Sequence, residues 1–190
     1  YTVIGCYEPA ALGKEVPCTC TGRVNLPKAV LVAMNGGVDP DTGAVVGAPA
    51  DPDSYADFDV FYAAVLKQIA AFASRAEALI IAHERAYPSL NPAPLFSATL
   101  ADCVARGVDA YSGGAKYNNS AINAICIAST VDALAAERRL VYEEKKLKLS
   151  EFAAVLRDNW QGHAELRQTA LRRMPRSATA TPQSMRWRRR

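Results

Sequence analysis

Apolar positions fall in clusters along the chain. A short run, Tyr1-Thr2-Val3-Ile4, opens it and reads as a strand that ends at Gly5. Leu26, Val30, Leu31 and Met34 fall on one face of a helix. Asn25 serves as its cap, Pro27 sits in its first turn, and Asn35-Gly36-Gly37 ends it. The turn-rich stretch from Val38 to Asp53 reads as a loop. Phe58, Phe61, Tyr62, Val65, Leu66, Ile69, Phe72 and Ala73 then recur at three- and four-residue spacing. They predict the longest helix, Ser54 to Tyr87, with a core-packing face. Pro88, Pro92 and Pro94 are expected to break it, and a shorter helix is expected from Ser97 to Arg106, closed by Gly107.

The second half continues in the same manner. Asp109 to Asn119 is a polar, glycine-rich loop without the G-K-[ST] of a phosphate loop, so Gly113-Gly114 reads as a tight turn or a close backbone approach. Ala121 to Ala128 is apolar and fits either a short buried strand or a helix start. Three helices follow, over Thr130–Lys145, Ser150–Trp160 with Ser150 as its cap, and Gly162–Met174. The run Glu143-Glu144-Lys145-Lys146 reads as a solvated helix face.

Composition changes this picture little. At 190 residues, 50% hydrophobic and 22% charged, the chain is ordinary globular material with room for a core. The net charge of +3 rests on four arginines among the last five residues; without them it is −1, so no nucleic-acid footprint is read into it. Five cysteines, unevenly spaced, argue against a disulfide scaffold and for a reducing compartment. No apolar run approaches a membrane span. The chain starts without Met inside an apolar run, which reads as a piece of something longer.

Candidate chemistry gathers near the N-terminus. Cys6 and Glu8 stand two residues apart, followed by Pro9. In an extended backbone such side chains point the same way, so both can face one cavity from a loop tip. The C-x-C of Cys18 and Cys20 lacks a second ligand pair, so no metal site is expected. Thr19, Cys20 and Thr21 read as small residues lining a cavity. The acidic residues of the 38–53 loop lack calcium-loop spacing.

These motifs together carry a family resemblance. Gly5-Cys6-Tyr7-Glu8-Pro9 resembles the G-C-x-E-P cysteine loop of the glycyl radical enzymes, the pyruvate formate-lyase-like superfamily. The match continues in order through Gly13-Lys14, then T-G-x-x-N-x-x-K at Thr21 to Lys28 and N-G-G-x-D-P-x-T-G at Asn35 to Gly43. It runs on through G-G-A-x-Y-N at Gly113 to Asn118 and V-D-A-L at Val131 to Leu134. L-V-Y-E-E-K-K-L and N-W-x-G-H-x-x-L-R complete it, so it covers residues 1–176.

The resemblance implies an α/β fold, mainly helical in this fragment, forming part of a ten-stranded α/β barrel. It implies that Cys6 becomes the thiyl radical that takes hydrogen from substrate, with Glu8 as general base or acid. Shielding such a radical from solvent implies a buried loop, where a carboxylate has a raised pKa. The glycyl radical itself is implied to be installed by a radical-SAM activating enzyme. Its R-V-x-G-Y motif is absent from these residues. The family also implies a small-molecule substrate, a homodimer of the full-length protein, and the cytoplasm of an anaerobic bacterium or archaeon.

Gly5 stands where the formate-lyase has a second cysteine, which points to the eliminating branch of dehydratases and lyases. Pro17-Cys18-Thr19-Cys20 replaces the W-H-D segment of glycerol dehydratases, leaving hydroxyproline- or diol-type chemistry as the nearer expectation. The alternatives are formate C-acetyltransferase-like or arylacetate decarboxylase activity, or an inactive fragment. After Pro175-Arg176 the sequence leaves the family pattern as SATATPQSMRWRRR. Back-translated in GC-rich codons and read one nucleotide earlier, that tail gives FGNGNAPVDAV, the continuation the family would have. Residues 177–190 are therefore expected to be a frameshift product.

Overall fold

The computed structural model describes residues 1–4, 9–16 and 21–172. Cys6 and Glu8, Cys18 to Cys20, and the tail from 173 onward lie outside them. The described residues are mainly helical, with six short strands, as the resemblance implies. They divide into two compact units, Tyr1–Val24 with Ala73–Asn123, and Asn25–Phe72 with the described residues from Ala124 on.

In the first unit, β1 (Thr2–Val3) pairs antiparallel with β2 (Pro9–Ala10), and β3 (Glu15–Val16) pairs parallel with β5 (Tyr117–Asn118). β4 (Gly22–Asn25) pairs with β6 (Ile122–Ile125). Strands β1 and β2 are the elements on either side of Gly5–Glu8 in sequence. The unit's core is small: Val16, Leu100, Cys103, Ala110 and Ala115, with Phe96 and Tyr111 against it. The Asp109 carboxylate ties this core together, accepting from the Ala93 N–H (2.8 Å), the Ser97 hydroxyl (2.9 Å) and the Tyr111 N–H (2.9 Å).

The larger core belongs to the second unit. Helix α1 (Leu26–Met34) packs on α5 (Ile127–Glu137) and α6 (Leu149–Arg157). Phe58, Phe61 and Val65, from the first half of α2 (Phe58–Leu90), join Met34, Leu140 and Phe152 in one apolar cluster. Asn25 caps α1 as expected: its side chain accepts the Lys28 N–H at 3.4 Å. Of the predicted α2 face, Phe61 and Val65 are wholly buried, whereas Leu66 is half-exposed.

Several sequence expectations are corrected. Pro88 does not break α2, which runs to Leu90. The proline removes only the bond its own N–H would make to the Glu84 carbonyl, and the Asn91 N–H still donates to the Tyr87 carbonyl beyond it (2.9 Å). The expected Ser97–Arg106 helix is two pieces, α3 (Pro94–Ser97) and α4 (Ala101–Arg106). Gly107 ends the second in the left-handed conformation that a glycine adopts without strain. Ala121–Ala128 is the strand β6 followed by the start of α5, and β6 is half-exposed rather than buried. Ser150 is not a cap. Helix α6 starts at Leu149, and the Glu151 carboxylate accepts the Lys148 N–H (2.8 Å). Ser150 instead donates its N–H (3.0 Å) and hydroxyl (2.7 Å) to Asp53. The helix expected over Thr130–Lys145 begins at Ile127 and changes after Glu137 into a π-helical stretch, Arg138–Glu143. The last helix is α7 (Ala164–Arg172).

Candidate functional site

Of the predicted site residues, Thr21 is described; Cys6, Glu8, Thr19 and Cys20 lie outside the described residues. Thr21 is half-buried and lines an open cleft of about 800 Å3 in the first unit. Val16 and Thr21, the two residues that flank Pro17–Cys20 in sequence, both belong to its wall. The opposite wall is a face of α2: Ala76, Ile80, His83 and Tyr87, spaced by three and four. That spacing continues the amphipathic stripe of the helix, so the second half of α2 was marked in the sequence as a face needing a partner.

Gly22 allows β4 to lie close to this helix. A Cβ at Gly22 would stand 3.1 Å from Ile80 Cδ1 and 3.7 Å from Ala76 Cβ. A side chain at Gly22 would need the tip of Ile80 to give by a few tenths of an ångström. The paired glycines of G-G-A-x-Y-N divide the two roles predicted for them. Gly113 takes a positive φ of 80° at the end of the turn Ala110–Ser112, and a side chain on Gly114 would run into the carbonyls of Val108 and Asp109. Arg106 donates to the Gly113 carbonyl (3.0 Å) and holds that turn.

The cleft combines an aromatic wall with polar groups. His83 and Tyr87 rings lie 4.7 Å apart, and Tyr87 meets Tyr111 edge-on at 4.9 Å. Ser120 donates its hydroxyl to Glu84. Asn118 donates to the Ala115 carbonyl (2.9 Å), and Asn119 to the Glu15 carboxylate (2.6 Å). His83, Glu84, Tyr87 and Tyr111 are site residues that sequence reading did not select. Their only signal was helical spacing, which does not distinguish a cleft wall from core packing.

The remaining motifs are structural. Lys28 bridges Asp39 (2.6 Å) and Asp41, clipping the N-G-G-x-D-P-x-T-G loop to α1. The hydrogen bond from Lys28 is the main reason the Asp39 carboxyl lies below its ordinary pKa, helped by the Asp41 N–H. Lys28 is raised reciprocally by those two carboxylates. Cys103 is buried and its thiol is pushed up by burial, which suits an inert core residue. Cys126 is exposed and precedes α5 at a positive φ of 64°. Among the described residues no cluster of three metal-ligating side chains occurs, and no helix is long and apolar enough to cross a membrane.

The comparisons with known proteins agree on one family. The pyruvate formate lyase-like family model matches residues 1–176. The chain is 35% identical over 167 residues to the (2S)-3-sulfopropanediol dehydratase of Klebsiella oxytoca, covering 87% of this chain and 20% of that protein. It is 29% identical over 163 residues to the trans-4-hydroxy-L-proline dehydratase of Clostridioides difficile, covering 84% and 20%. A crystal structure of a glycyl radical enzyme from Archaeoglobus fulgidus superposes with a TM-score of 0.77 at 26% identity, over 90% of this chain and 22% of that one. The chain thus spans about a fifth of the length of the relatives it matches. An ordered match over nearly all the described residues, in sequence and in fold, places this chain in the pyruvate formate lyase-like family.

Proposed function

We propose that this chain is the cysteine-loop portion of a glycyl radical dehydratase or lyase acting on a small hydroxylated substrate. The observation that carries the reading is the 35% identity to (2S)-3-sulfopropanediol dehydratase over 87% of the chain. In this reading Cys6 takes a hydrogen atom from a substrate carbon and becomes a thiol. Glu8 accepts the proton of the neighbouring hydroxyl as the leaving group departs from the next carbon with its bonding electrons. The thiol then returns the hydrogen atom to the product radical. Thr19, Cys20 and Thr21 line the substrate cavity, and the Thr21 position on the cleft wall supports its part in this.

The radical that starts the cycle is a backbone glycyl radical. None of the eleven glycines of this chain stands in an R-V-x-G-Y motif, so no glycine here fits that role. The 190 residues by themselves are inactive in this reading. The full-length protein is a cytoplasmic homodimer of an anaerobe, activated by a radical-SAM partner. Residues 177–190 are a frameshift product, a reading supported by the family match ending at residue 176; sequencing the gene tests it, and codons incompatible with the second frame refute it.

The decisive assay uses the full-length gene product, activated anaerobically. It is offered sulfopropanediol, other diols, hydroxyproline, choline, isethionate, pyruvate and an arylacetate, with a glycyl radical signal checked by EPR. Cys6→Ala is expected to abolish turnover while leaving the EPR signal, and Glu8→Gln to lower kcat by at least about a hundredfold. An activated protein with no radical signal, or a Cys6→Ala variant that still turns over, refutes the assignment. Pyruvate cleavage or arylacetate decarboxylation without dehydration would move it to another branch of the family.

A further inference from the structure

Glu137 is among the largest wholly buried side chains of the second unit, although it is an acid, and its neighbours in sequence Ala136 and Leu140 belong to the larger apolar cluster. Its Oε2 has no hydrogen-bond partner among the described residues, and neither does the hydroxyl of Tyr142, five residues on. Between them the helix is π-helical, Arg138–Glu143. The same five-residue spacing joins Arg138 to Glu143 (2.8 Å) and Arg139 to Glu144 (2.5 Å). In an i→i+5 turn each residue advances roughly 80°, so residues five apart lie about 50° from one another. In an α-helix they lie about 140° apart. The π turn therefore sets Glu137 and Tyr142 on one buried face and keeps the two ion pairs together on the solvent face. An α-helical turn would have to release one of the buried pair and separate both ion pairs.

We propose that Glu137 and the π turn form a protonation-controlled switch: the neutral acid is held inside with Tyr142, and its ionisation opens residues 138–143, letting the Glu137 carboxylate reach water. Burial pushes the Glu137 carboxyl well above its ordinary pKa, because an unpartnered carboxylate in an apolar core is far costlier than the neutral acid. An acid whose folded pKa is raised stabilises the fold fully below its unfolded value, about 4.3. That contribution is lost as pH rises through the folded value. The groups acting on Tyr142 are Glu137, Tyr55, Asp53 and Asp57, none of them a cation that could hold an ionised Glu137 in place. Lys28 of α1 is engaged by Asp39 and Asp41, and Lys148 and Arg157 at the ends of α6 are exposed.

The test is hydrogen exchange of the amides of 138–144, corrected for intrinsic rates, in the full-length gene product from pH 4.5 to 8.5. The Glu137 carboxyl is followed in parallel by carbon-13 NMR. The wild-type chain should lose protection in this segment by at least tenfold as pH rises, with the midpoint at the Glu137 titration, while the amides of α1 and α6 stay protected. Glu137→Gln should remain protected throughout, and Tyr142→Phe should keep the transition because it retains the acid. Should Glu137→Gln fold poorly, Glu137→Met, apolar and of similar size, takes its place with the same expectation. A Glu137 that titrates near 4.3, a transition that survives in the Gln or Met variant, or a loss of protection spread over the whole unit overturns the proposal.

Discussion

Phe61 is the largest of the wholly buried side chains among the described residues. It is wholly buried, and its ring lies 5.7 Å from Tyr55, 6.3 Å from Phe58 and 6.1 Å from Tyr142. Truncation to alanine removes the transfer energy of the ring and leaves a cavity between three other rings that cannot all collapse into it. A buried Phe→Ala change costs about 3–5 kcal/mol, a large share of the about 5–15 kcal/mol that holds a domain folded. With a urea slope of about 2 kcal/mol/M, the midpoint should fall by about 2 M. Trp160 packs edge-on against Phe152 at 5.8 Å within the same core, so its fluorescence reports this unit. The measurement is best made with Trp187 replaced by Phe, leaving Trp160 as the sole indole. Leu66→Ala, at a half-exposed position on the same helix, is the control and should cost under about 1 kcal/mol. A Phe61→Ala loss below about 1.5 kcal/mol, or one matched by Leu66→Ala, would refute the packing argument.

Two further outcomes follow from backbone and charge. Cys126 holds a positive φ with an exposed side chain that has little packing to lose. Cys126→Gly should therefore raise the thermal midpoint by about 2–4 °C, allowing for the extra flexibility of glycine in the unfolded chain; a lower midpoint contradicts the strain. The Asp53 carboxyl lies below its ordinary pKa, chiefly through the Ser150 N–H and then the Ser150 hydroxyl. Its contribution to stability is thus present above about pH 3.9, the unfolded value, and lost as pH falls through the folded one. Asp53→Asn should be less stable than wild type near neutrality and converge with it in acid, as read by urea midpoints across pH; a constant gap at all pH values would contradict the assignment.

The helices were legible where one periodicity acted alone. Asn25, Pro27 and the apolar stripe specified α1, and the aromatic stripe of α2 marked the residues that became the larger core. Local signals failed where tertiary contacts outbid them. Ser150 had the chemistry of a cap, but its N–H and hydroxyl both go to Asp53, ninety-seven residues earlier. Pro88 read as a stop, but the helix runs on to Leu90 around the one hydrogen bond it removes. The five-residue spacing of Arg138 with Glu143 and Arg139 with Glu144 was present in the sequence. It was absorbed into a generic charged face because helical patterns are sought at three and four. At the candidate site, the cysteine loop was legible as a motif, since its signal is linear order. The cleft was not, because β4, the second half of α2 and residues 118–120 meet there only after folding.

The parallel pairing of β3 with β5 bears on how such a protein is made. Strand β3 lies just past the cysteine loop, yet it finds its partners about a hundred residues later. Glu15 pairs with Tyr117 and its carboxylate accepts from Asn119, while the Gly13 carbonyl accepts from the Ala101 N–H at 3.0 Å. At a synthesis rate of about 5–20 residues per second, roughly 5–20 s pass between the emergence of these two halves from the ribosome. During that interval β3 has none of these long-range anchors. Until residue 119 has emerged, β3 is an unpaired edge on the nascent chain, so chains truncated before Ala101 should be cut near β3 by proteases that spare the longer product.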